Sequence, residues 1–196
     1  MFNFVKTDLF LKIKRRIFKY INNIDKLRIS MITQALSKYL LELPKEIIKG
    51  DTNIDLLAEK IRLNLVSPED NDWEFLIEIS NSKKKTFRIS FHHQENNTNE
   101  GLLRIDYNSG HKNPEIVNEF VPEPLKKYAG YWFENEPHIH LFVESYKDLA
   151  WAIPIKDYEA IKTKNIQSSE DYTNAIYEFA SQTNIITKFV IQQTIL

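Results

Sequence analysis

Trp73-Glu74-Phe75-Leu76-Ile77-Glu78-Ile79-Ser80, the connection Asn81-Ser82-Lys83-Lys84, and Thr86-Phe87-Arg88-Ile89-Ser90-Phe91 form the stretch that decides the fold. Trp73, Phe75, Ile77 and Ile79 alternate with Glu74, Glu78 and Ser80; Phe87, Ile89 and Phe91 alternate with Thr86, Arg88 and Ser90. A period of two places one set on a buried face and the other on the opposite face. Two such runs joined by a short polar connection predict a β-hairpin.

The alternation continues downstream. Leu103, Ile105 and Tyr107 alternate with Arg104 and Asp106, and Ile139, Leu141 and Val143 alternate with His138, His140 and Glu144. Leu149 to Ile155 is expected to partner the latter strand across Ser145-Tyr146-Lys147-Asp148. Consecutive hairpins predict an antiparallel, meander-like sheet. A late helix is expected from Ser168-Ser169-Glu170-Asp171, with Tyr172, Ala175, Ile176 and Phe179 as its apolar stripe, and a terminal strand from Ile185 to Leu196.

Upstream the period lengthens. Val5, Leu9, Ile13, Ile17 and Ile21 recur every fourth residue, predicting a helix whose other face carries Lys12, Arg15, Arg16 and Lys19. A second helix is expected from Ile29 to Leu41, ended by Leu43-Pro44, and a third from Ile54 to Leu65. The fold class is therefore α+β: a helical N-terminal region (1–66), then an α+β domain (73–196) with a long connection at 108–137. The polar stretch from Ser67 to Asp72 is the expected border between them.

Composition limits the chemistry. The 196 residues contain no cysteine, which excludes disulfide scaffolds, thiolate zinc sites and cysteine nucleophiles. The net charge of −1 supplies no global field, although residues 1–30 hold eight basic against two acidic side chains. No run of about 18 apolar residues predicts a membrane span, the N-terminus does not read as a secretory signal, and a cytoplasmic location is the expectation. Walker A, G-x-G-x-x-G, G-x-S-x-G and H-E-x-x-H patterns are absent, and four glycines do not make a phosphate cradle.

The sharpest chemical feature is His138-Ile139-His140. Residues i and i+2 of a strand share a face, so two imidazoles stand together, as metal ligands or as an acid/base pair. His111, in the loop Asn108-Ser109-Gly110-His111-Lys112-Asn113-Pro114, starts just past the strand bearing Asp106. If the two strands are neighbours, His111, His138, His140 and Asp106 converge. The bland reading is a strand emerging from a loop with histidines in structural hydrogen bonds. His92-His93 face opposite sides and read as a hairpin end. Tyr128 to Phe133 is an aromatic cluster, able to stack bases or anchor a partner, or simply to cover a core edge.

Leu102-Leu103-Arg104-Ile105-Asp106, Gly110-His111-Lys112-Asn113-Pro114, His138-Ile139-His140-Leu141 and Trp151-Ala152-Ile153-Pro154, taken in order, resemble a family of uncharacterised bacterial domains over about residues 85–196. The resemblance implies an architecture and a candidate site at His111, His138 and His140, and no reaction. Residues 115–136 and 1–66 depart from the short family pattern.

Two functions fit these features. In the first, the domain acts on or binds a phosphate-bearing substrate such as RNA or a nucleotide. His138 and His140 serve as acid/base groups or metal ligands, with His111 as third member and a divalent transition metal as the cofactor. Asp106 orients one imidazole, and Arg104 or the basic helix holds phosphate; by analogy the setting is toxin–antitoxin or phage defence. In the second, a non-enzymatic interaction protein, an antitoxin or an inhibitor of a defence complex, uses Lys12, Arg15, Arg16, Lys19 and the Trp132 loop to bind a protein or nucleic-acid partner. The histidines are then structural.

Overall fold

The computed structural model describes residues 32–48, 52–82, 88–147 and 149–192. The chain divides into units 1–31 and 32–196, and the described residues all belong to the second. The expected basic helix, with Lys12, Arg15, Arg16 and Lys19, lies outside the described residues.

Helix α1 (Gln34–Glu42) starts at Thr33, whose hydroxyl accepts from the Leu36 N–H at 3.2 Å, and ends at Leu43 ahead of Pro44, where a helix cannot continue. Short strands β1 (Glu46–Ile47) and β2 (Asn53–Asp55) follow, then β3 (Lys60–Val66). The expected third helix, Ile54 to Leu65, is thus replaced by strands. Ile61, Leu63 and Leu65 alternate with exposed Lys60, Arg62 and Asn64, and pairing with the next strand settles a segment whose apolar spacing also suited a helix. Residues 67–72 join two neighbouring strands of one sheet.

That sheet is completed by β4 (Glu74–Ser82), β5 (Arg88–Glu95), β6 (Glu100–Tyr107), β9 (His138–Leu141) and β10 (Trp151–Pro154). Its seven strands run in the order β1-β3-β4-β5-β6-β9-β10, each pair antiparallel, as the hairpin pattern predicts. Between β6 and β9 the long connection carries β7 (His111–Lys112), the one-turn α2 (Glu123–Lys126) and β8 (Trp132–Phe133), with β7 and β8 paired. Helix α3 (Ser169–Gln182) begins with a capping box: the Ser168 hydroxyl accepts from the Asp171 N–H at 3.1 Å, and the Asp171 carboxylate accepts from the Ser168 N–H at 3.0 Å. The terminal strand β11 (Val190–Gln192) pairs with β2 in parallel.

The two faces of the sheet differ. One is the core: Ile61, Ile79, Phe91, Ile105, Ile139 and Ile153 make one row across six strands, and Phe91 meets Phe179 and Tyr172 of α3. Lys45 is fully buried there. Its ammonium donates to the carbonyls of Leu41, Leu43 and Thr183 at 2.8–3.2 Å, tying the C-terminal ends of α1 and α3 together, and stands 4.7 Å from the Phe75 ring. Carbonyls at helix ends suit a cation, although burial pulls the Lys45 pKa down to about 7. The other face is polar. Arg62, Glu78, His92, Arg104 and His140 form one row, and Lys60, Ser80, Ser90, Asp106 and His138 the next. His92 and His93 are therefore mid-strand residues on opposite faces, not a hairpin end.

His93, wholly buried and stacked on Phe75, is held well below the ordinary histidine pKa by burial and then by the Lys45 charge. Its folded pKa being depressed, its contribution to stability is complete above about pH 6.5 and is lost as pH falls below that value. The melting temperature should drop between pH 7 and pH 5, and His93→Leu should flatten that drop; an unchanged slope in thermal melts would refute it.

Candidate functional site

Register on the polar face decides which side chains meet. The β6–β9 pairing sets Arg104 opposite His140 and Asp106 opposite His138. Asp106 Oδ2 accepts from Arg104 Nε at 3.0 Å and lies 3.1 Å from His140 Nε2 and 3.6 Å from His138 Nε2. Asp106 Oδ1 accepts from the Ser90 hydroxyl at 2.6 Å. Arg104 Nη2 stands 2.8 Å from His140 Nε2 and 3.2 Å from its Nδ1, so the guanidinium reaches from the carboxylate onto the imidazole ring.

The long connection folds over this end of the sheet. His111 packs with its ring centroid 4.4 Å from that of His140 and 5.7 Å from that of His138, and Phe133 lies 4.7 Å from His138. His111, His138, His140 and Asp106 therefore do converge. They are not on an open strand face, however: His138 and His140 are wholly buried, because residues 111–133 cover them. Asn113 fastens that cover. Its side chain donates to the Ala152 and Tyr128 carbonyls at 2.8 and 3.0 Å and accepts from the Ala152 N–H at 2.8 Å, taking the place of a further strand beside β10. At Gly130 the chain turns with φ +67, a backbone conformation that side chains disfavour.

Backbone carbonyls set the tautomers. His138 Nδ1 is 2.7 Å from Glu136 O, His140 Nδ1 2.7 Å from Leu149 O, and His111 Nε2 2.9 Å from Ala150 O. A carbonyl only accepts, so these nitrogens carry the protons. The Nε2 lone pairs of His138 and His140 are left facing Asp106. Burial lowers the pKa of all three imidazoles, that of His140 to about 4. Burial opposes ionisation of Asp106 too, but the Arg104 charge and the Ser90 hydroxyl outweigh it and hold the carboxyl below the usual range. Among the described residues, Asp106, His138 and His140 are the group whose ligand atoms lie close enough to share a metal ion; His111 is outside it.

Beside the cluster, a cavity of about 350 Å³ opens onto the uncovered part of the polar face. Arg88, Arg104, Asp106, Ser80, Ser90 and Gly110 line it. The histidines do not. Trp132, 58% exposed, stands at its edge: Cζ2 is 3.9 Å from where a Cβ would sit on Gly110. Arg88, Ser80 and Ser90 belong to no motif that would single them out in the sequence. Their signal is the polar phase of the β4 and β5 alternation, which marks a face but not its role.

A model for a family of unknown function, DUF6978, matches residues 32–185, and the chain belongs to that family. The match starts well before the stretch of motifs from Leu102 to Pro154 and takes in α1 and β1 to β3. No curated protein and no solved structure matches the chain. No helix among the described residues is long and apolar enough to cross a membrane.

Asn113→Ala would leave the Ala152 N–H and carbonyl unpaired in a buried place, at a cost of about 2–3 kcal/mol. For a chain of this size that corresponds to a melting temperature lower by roughly 4–12 °C. A shift below about 1 °C would show that Asn113 does not secure the cover.

Proposed function

Taking the chain as a member of this family, we propose that it binds a phosphate-bearing ligand of the nucleotide or RNA type in the cavity beside the buried cluster. The observation that carries the reading is the fixed Arg104 guanidinium. Its Nε and Nη2 are held by Asp106 and His140, and it lines the cavity together with Arg88. Two cations against the one Asp106 carboxylate favour an anion there. A guanidinium that is already oriented loses little freedom on meeting phosphate oxygens, and its remaining N–H groups suit them. The hydroxyls of Ser82 and Ser109, which also line the cavity, can donate to the same oxygens, and the exposed Trp132 indole offers a face for a base.

In this reading Arg104 and Arg88 touch the ligand. Asp106 and His140 position Arg104, and His111 and His138 brace that arrangement from behind rather than acting on the substrate as acid and base. The toxin–antitoxin and phage-defence settings rest on analogy and are no part of the proposal.

Calorimetric titration with inorganic phosphate, adenosine monophosphate and a short 5′-phosphorylated RNA tests it. Arg88→Gln, a change at an exposed position, should weaken all three by about tenfold, the typical scale of a charge-assisted contact. RNA binding should weaken with rising salt, and less steeply in the variant. Trp132→Ala should weaken the nucleotide and the RNA but not phosphate. Affinities indifferent to Arg88→Gln would sink the proposal.

A further inference from the structure

We infer that Asp106, His138 and His140 form a site for one divalent transition-metal ion of the zinc type, and that in the metal-free chain the Arg104 guanidinium occupies it. The inference does not rest on the phosphate-bearing ligand: of the three residues only Asp106 lines the cavity, and the site needs no phosphate.

Three observations point to it. The first is tautomer control. His138 and His140 both give their Nδ1 proton to a backbone carbonyl, those of Glu136 and Leu149, which leaves both Nε2 lone pairs directed at one carboxylate oxygen. An imidazole that ligates a metal through one nitrogen commonly donates its other N–H to a carbonyl or carboxylate, which fixes the ring and makes the ligating nitrogen more basic.

The second is an orphan. His138 Nε2 is buried and has no hydrogen-bond partner among the described residues. Asp106 Oδ2, at 3.6 Å, is too far for a hydrogen bond. An unsatisfied, wholly buried acceptor is costly unless something electrophilic fills it.

The third is spacing. Asp106 Oδ2 is 3.1 Å from His140 Nε2 and 3.6 Å from His138 Nε2, and the three ligand atoms lie within 4.8 Å of one another. Four-coordinate zinc with bonds of about 2.0–2.1 Å sets its ligand atoms roughly 3.3 Å apart. Two imidazoles and one carboxylate leave the fourth position open, as in catalytic rather than structural zinc sites.

Arg104 explains how the site is kept in order without the ion. Nε holds Asp106 Oδ2, one of the three atoms the metal would take, and Nη2 lies against the His140 ring, 2.8 Å from Nε2 and 3.2 Å from Nδ1. A guanidinium held there and a metal ion compete for the Asp106 oxygen and repel each other as like charges. Metal uptake must therefore release Arg104 towards the cavity it lines, and removal of the guanidinium must favour the ion.

The test is a titration of the full-length, untagged chain with Co²⁺ in buffer free of phosphate and nucleotide. The readouts are the visible absorption of four-coordinate Co²⁺ and competition by Zn²⁺. The expected result is one ion per chain in the wild type, affinity higher by tenfold or more in Arg104→Gln, and loss of the signal in His138→Gln with the far-ultraviolet circular dichroism retained. No absorption in the wild type, or binding only in Arg104→Gln, would overturn the inference, the latter because Arg104 would then be the permanent occupant. Full binding in His138→Gln would overturn it as well. Should His138→Gln fail to fold, the comparison of wild type with Arg104→Gln decides alone. Because no phosphate is present, an unbound metal and an unbound nucleotide remain separate failures.

Discussion

The buried carboxylate of Asp106 is the charge to which one whole side of the protein is fitted. A carboxylate that is nearly out of water is tolerable only when its oxygens are engaged, and here Ser90 takes one and Arg104 the other, with His140 Nε2 packed 3.1 Å from the latter. These partners come from three strands, β5, β6 and β9. The ionic contact therefore depends on the sheet register, and the register in turn is favoured by the contact. Slipping β9 by one residue would turn His138 and His140 into the apolar core and bring Ile139 against Asp106.

The asymmetry of the sheet is tied to this charge. On the core face the rows of Ile, Leu and Phe need only burial, which α3 and the tethered ends of α1 and α3 supply. On the polar face the rows divide. Towards β3 and β4, Lys60 and Arg62 pair with Glu78 at 2.8 Å in solvent, where such pairs contribute little. Towards β9 and β10 the same rows run beneath the connection from His111 to Phe133, and water is excluded. The cavity lies where cover gives way to open sheet, so one guanidinium has a dry side held by protein and a wet side free to meet a ligand. Long connections in compact domains often carry function; this one shapes a site by covering rather than by contributing most of its charges.

Part of this could be read from the sequence. Alternation at Trp73–Phe91 and Leu103–Tyr107, the Ser168–Asp171 cap and the His-x-His spacing are local signals, and the sheet, α3 and the shared face of His138 and His140 came out as expected. Residues 54–65 did not. Ile61 and Leu65 lie at a spacing compatible with a helix as well as a strand, and only the neighbouring β4 decides between them, while Ile54 pairs with β11. His92 and His93 sit inside β5, which continues to Glu95 because β6 pairs along it, through an irregularity after His93, as far as Glu100.

Local periodicity tells which way a side chain points, because the backbone repeat is a property of adjacent residues. It does not tell what lies opposite, because pairing depends on strands about 30 residues apart in sequence, a separation read from Asp106 and His138. By itself the sequence determined an antiparallel sheet with two unlike faces, a chain without thiol chemistry, and two imidazoles on one face. Tertiary structure decided that this face is half covered, that two histidines meet one carboxylate with a third packed on their rings, that Asn113 secures the cover, and that Arg104 bridges the cluster and the cavity. Those are outcomes of register and burial, which exist only once distant strands have met.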